Sequence, residues 1–127
     1  MCGASDISDG GPLIVVLDPD DAVREALRFS LETEGYRVRA FGAAKDLLAC
    51  LQTLDADCFV IDEAGCDAQL RVSLCGRRAP VILLSGRPDR APRLRAWSRM
   101  TLVEKPLITD ALSVRIAAVL RAEARPI

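Results

Sequence analysis

The chain predicts a doubly wound α/β domain built on a parallel sheet, and three apolar runs carry that prediction. Leu13-Ile14-Val15-Val16-Leu17 ends on Asp18, Cys58-Phe59-Val60-Ile61 ends on Asp62, and Val81-Ile82-Leu83-Leu84 ends on Ser85. Short continuous apolar runs bounded by polar residues are what strands covered on both faces look like, because helices pack on each side. Each run hands a polar residue to the same edge. In open α/β sheets ligands bind in the crevice outside the carboxyl ends of the strands, so Asp18, Asp62 and Ser85 mark a candidate site.

In chain order, residues 1–12 form a polar tail rich in Gly, Ser and Asp, expected to be flexible, and residues 13–123 form the domain. After the first strand, Asp18-Pro19-Asp20-Asp21 precedes Val23, Ala26, Leu27, Phe29 and Leu31, which fall largely on helical spacing. Acidic residues suit the start of that helix, and Gly35 suits a left-handed stop at its end. Tyr36 to Phe41 alternates as a second strand, and Ala44, Leu47, Leu48 and Leu51 define a second amphipathic helix. Beyond Asp62, Ala68 to Arg78 reads as a short helix with Leu70 and Leu74 inward. A further helix is expected near Ala91-Pro92, including Leu94 and Trp97, since proline suits a first helical turn. Leu102-Val103-Glu104 reads as a fifth strand, and Thr109 to Glu123 as a last helix with Leu112, Ile116, Val119 and Leu120 inward. Alternation of this kind implies right-handed crossovers, with helices on both faces of the sheet.

Composition narrows the function. The 127 residues fit one domain with a sizeable core, and the net charge of −1 is not that of a nucleic-acid binder. Charge is divided along the chain: residues 1–70 hold 5 basic and 14 acidic side chains, residues 71–127 hold 12 and 4. The arginines from Arg71 to Arg99 make a basic stretch that reads as a solvated or protein-binding face rather than a direct nucleic-acid contact. The cysteines Cys2, Cys50, Cys58, Cys66 and Cys75 show no C-x-x-C spacing, and histidine is absent, so reduced thiols are expected rather than a zinc site. Cys66 and Cys75 lie near the expected site, where a redox pair is the less favoured reading. No apolar run approaches the ~20 residues of a membrane span, and the start lacks the plan of a signal peptide; a cytoplasmic location is expected.

With Val23-Arg24 opening the first helix, Asp62 and Ser85 ending strands, and Glu104-Lys105-Pro106 ending the last, the chain resembles a receiver domain of bacterial two-component response regulators. The resemblance runs from Leu13 to about Leu120. It implies a flavodoxin-like (βα)5 fold, with a parallel five-stranded sheet of order 2-1-3-4-5. It also implies a phosphorelay role without enzymatic turnover, in which Asp62 accepts a phosphoryl group from a sensor histidine kinase or phosphotransferase. Ser85 and Lys105 then stabilise that group, and the signal passes to an output protein or a homodimer. The chemistry agrees: a carboxylate can attack phosphorus when a hydroxyl, an ammonium and a cation offset the charge on the transferred oxygens.

The resemblance implies magnesium, held by Asp18, Asp62 and the backbone carbonyl of Ala64. Here the sequence departs from the family, because Pro19 stands where receivers carry their second acid, so a weak or absent magnesium site is expected. Asp20 or Asp21 is a substitute ligand, though both read more naturally as helix-start acids. The loop Glu63-Ala64-Gly65-Cys66-Asp67 replaces the usual Met-Pro-Gly, and the switch position, normally aromatic, is Leu102. These departures support a second reading, a pseudo-receiver that binds partners without phosphorylation. A third reading takes Leu17-Asp18-Pro19-Asp20 as the D-x-D start of a haloacid-dehalogenase-like phosphatase. It leaves Asp62 without a role and too little chain after Lys105 for the further strand and acidic pair such enzymes need.

Overall fold

The structure is a computed structural model that describes residues 11–86, 100–104 and 111–124. Its strands are β1 (Leu13–Leu17), β2 (Arg37–Phe41), β3 (Cys58–Asp62), β4 (Val81–Ser85) and β5 (Met100–Glu104). Its helices are α1 (Asp21–Thr33), α2 (Ala44–Cys50), α3 (Ala68–Cys75) and α4 (Ala111–Ala124). The strands form one parallel sheet of order β2-β1-β3-β4-β5. The expected tail residues 1–10, the helix near Ala91 to Trp97 and Lys105 lie outside the described residues.

Every residue of β1, β3 and β4 is buried, and the two-residue period of a strand sorts their side chains onto two faces. Leu13, Val15, Leu17, Phe59, Ile61, Val81 and Leu83 meet Leu47 and Leu51 at the end of α2 and Leu70 and Leu74 of α3. On the other face Ile14, Val16, Cys58, Val60, Ile82, Leu84 and Val103 meet Leu27 and Leu31 of α1 and Leu112 and Ile116 of α4. A run buried on both sides needs no polar alternation, which is why these strands read as continuous apolar segments. Asp57 fixes the entry to β3: its carboxylate accepts the Leu13 N–H, and its own N–H donates to the Leu13 carbonyl, each at 2.8 Å.

Helix α1 ends as expected, with Gly35 at φ 99°. Its inward stripe is narrower than expected. Phe29 is 73% exposed, because a residue two positions from both Leu27 and Leu31 lies about 200° around the helix from them. At the start of the fold, the Arg37 side chain donates to the Gly11 carbonyl and its backbone N–H to that of Pro12. Among the described residues, no helix is long and apolar enough to cross a membrane.

Among the described cysteines, Cys58, Cys66 and Cys75 are free. Burial, with a smaller contribution from Asp57, pushes the Cys58 thiol up from 9.0 to about 12. The raised value means that Cys58 favours the fold fully below pH 9 and progressively less as pH rises toward 12. Between those limits we expect the wild type to lose about 1.4 kcal/mol per pH unit more than Cys58→Ala, read from urea midpoints at pH 10 and 11.

Candidate functional site

The carboxyl ends of β1, β3 and β4 bring Asp18, Asp62 and Ser85 to one edge. Leu17 pairs with Ile61 and Asp62 with Leu84, so the residue that follows each apolar run arrives at a neighbouring strand end. All three are buried, at 1%, 6% and 0% exposure, and among the described residues they are the buried polar side chains of an otherwise apolar core. Burial of this kind is costly for a carboxylate or hydroxyl unless it is hydrogen-bonded, and here the partners come from the loops.

Asp18 continues the sheet, its N–H donating to the Phe41 carbonyl at 3.1 Å, and its Oδ1 accepts the Asp20 N–H at 2.9 Å. Asp20 then caps α1, accepting the N–H groups of Ala22 and Val23 at 2.9 and 3.2 Å. Arg24 closes the loop by donating to the Asp18 carbonyl at 2.8 Å and to the exposed Asp21 carboxylate. Asp20 and Asp21 thus serve the helix start. We expect Asp20→Ala to cost about 1 kcal/mol in thermal or urea denaturation while leaving magnesium affinity unchanged.

Asp62 ends β3 and begins a single 3-10 turn, Glu63–Gly65, with its Oδ2 accepting the Ala64 N–H at 3.1 Å. Pro19 packs beside this turn: a Cβ on Gly65 would meet the Pro19 ring at 3.2 Å. Glu63 is the site residue that sequence reasoning missed. The Ser85 hydroxyl donates to Glu63 Oε1 at 2.5 Å, so the acid next to Asp62 reaches across to the end of β4. An acid directly after a strand-ending acid was the available signal, but nothing local says toward which strand it turns.

The remaining expected site residues are placed in part. Leu102 lies on β5 opposite Leu83, and Glu104 pairs with Ser85, so the strand runs toward the site immediately before Lys105. Burial raises the half-buried Cys66 thiol from 9.0 to about 11, against the lowering effect of Arg71. It stays protonated near neutrality, which disfavours the redox reading.

Two buried carboxylates at adjacent strand ends fit a hard divalent cation in donor type, with few protein ligands and the balance left to water and phosphate oxygens. The Pro19 side chain supplies no donor, and among the described residues no group of three or more acidic, cysteine or histidine side chains is arranged to hold a metal.

A parallel α/β sheet with an acidic crevice at its carboxyl edge and a hydroxyl on the neighbouring strand fits a receiver of the flavodoxin-like class. The chain is similar in sequence and fold to the receiver domains of response regulators. Response regulator protein TmoT of Ectopseudomonas mendocina is 30% identical over 92 residues, spanning 68% of this chain and 42% of TmoT. The crystal structure of full-length FixJ from B. japonicum matches with a TM-score of 0.78 at 26% identity, covering 89% of this chain and 59% of FixJ. Response regulator TrrA of Thermotoga maritima, solved in complex with Mg2+–BeF, matches with a TM-score of 0.76 at 20% identity, covering 86% of this chain and 99% of TrrA. The chain spans 40% to 56% of the length of the curated relatives it matches. No protein-family model matches it.

Proposed function

We propose that this receiver, in a (βα)5 frame, accepts a phosphoryl group on Asp62 from a sensor histidine kinase or phosphotransferase and passes the signal to an output protein. The observation that carries the reading is the burial of Asp62 at the end of β3, beside Asp18 and Ser85 at the two adjoining strand ends. An Asp62 carboxylate oxygen attacks phosphorus in line; the new O–P bond forms as the P–N bond of the phosphohistidine breaks, and the electron pair returns to the imidazole. Ser85 donates to a transferred oxygen, and Lys105 offsets the charge. Asp62 keeps its place because the Ala64 N–H orients it. The domain acts as a stoichiometric acceptor rather than as an enzyme.

The side chains of Asp18 and Asp62 and the Ala64 carbonyl would hold magnesium. When bound, the cation neutralises charge gathering on the phosphoryl oxygens. With Pro19 in place of a second acid, we read the site as a weak one.

The test is intact mass after incubation with acetyl phosphate, with and without magnesium, for wild type, Asp62→Asn and Pro19→Asp. A magnesium-dependent gain of one phosphoryl group that vanishes in Asp62→Asn is expected, with a larger gain in Pro19→Asp at limiting magnesium. No gain in wild type beside a clear gain in Pro19→Asp would instead establish the phosphorylation-independent binder that Pro19 favours.

A further inference from the structure

The bond between Ser85 and Glu63 bears on how this receiver is switched. A hydroxyl-to-carboxylate distance of 2.5 Å is that of a strong, charge-assisted bond, and the serine side chain is fully buried. A serine has one hydroxyl proton and can donate one such bond. A phosphoryl group on Asp62 would bring anionic oxygens requiring the same proton, from the residue next to Glu63 in sequence. Asp62 itself is engaged with the Ala64 N–H, so the two acids divide the turn: one orients the turn, the other holds the hydroxyl.

We propose that Glu63 competes with the phosphoryl group for the Ser85 hydroxyl, holding its proton in the resting chain so that phosphorylation of Asp62 must displace Glu63. This rests on Asp62 being the acceptor. Glu63 is half-buried on a single turn at the rim, so its carboxylate can exchange Ser85 for water. The displaced side chain changes the rim beside the site when the phosphoryl group arrives, a movement that does not depend on an aromatic residue at position 102. Glu63 is therefore a positioning residue, acting through Ser85. In the transfer from acetyl phosphate the Asp62 O–P bond forms and the P–O bond to acetate breaks; acetate leaves with the electron pair, and the Ser85 proton stays on Ser85.

The experiment compares phosphorylation rates, by intact mass with acetyl phosphate and magnesium, for wild type, Glu63→Ala, Ser85→Ala and the double variant. The bond couples the two residues, so Glu63→Ala should react about 10-fold faster than wild type, as expected for release of one charged hydrogen bond. In the Ser85→Ala background the same substitution should change the rate by less than about 2-fold. NMR supplies a readout that needs no phosphorylation: a Ser85 hydroxyl proton protected from exchange in wild type and lost in Glu63→Ala. Equal protection in both proteins, an unchanged rate in Glu63→Ala, or a full acceleration persisting without Ser85 would each overturn the proposal. The last would leave only the repulsion between Glu63 and the donor. Absence of mass gain in every variant would overturn the assignment of Asp62 as acceptor, and the competition with it. A gain indifferent to Glu63 would overturn the competition alone.

Discussion

Asp62→Asn abolishes the gain of a phosphoryl group and leaves the domain about as stable as wild type. The loss should be complete, because an amide oxygen does not form an acyl phosphate under conditions where a carboxylate does. The fold should survive because asparagine has the shape of aspartate and offers an oxygen to the Ala64 N–H, which Asp62 accepts at 3.1 Å. The exchange keeps size and shape, so the urea midpoint should stay within about 0.5 kcal/mol of wild type. Intact mass and a urea titration on the same samples separate chemistry from unfolding. A variant that loses phosphorylation together with most of its stability would mean that Asp62 is a structural group.

Phe59→Ala has the largest expected effect on the fold. Phe59 is fully buried at the second position of the central strand, pairs with Val15 on one side and Val81 on the other, and lies in the cluster closed by α2 and α3. Deleting a buried aromatic ring loses both its transfer from water and the contacts around the space it leaves, typically 3–5 kcal/mol, about half of the stability of a small domain. Chemical denaturation should show a fall of about that size. Because Phe59 faces α2 and α3, the loss should loosen the hold on Asp62 three residues later, with slower phosphorylation as a second sign. By contrast Phe29→Ala, on the exposed side of α1, should shift the midpoint by less than about 0.5 kcal/mol.

What the sequence determined by itself is the central sheet and the place of its chemistry. The runs 13–17, 58–62 and 81–85 could be read because burial on both faces leaves one chemical character along the whole segment, and a polar residue at each end marks where the cover stops. Gly35 and the acids before Val23 were legible for a similar reason: caps and left-handed stops depend on a few neighbouring residues. Tertiary structure alone decided which side of α1 is covered, turning Phe29 outward. It also assigned the loop acid Glu63 to Ser85, 22 positions further along the chain. A hydrogen bond between two strand ends depends on the register of β3 against β4, and register is fixed by packing across the whole sheet, which no local stretch of sequence contains.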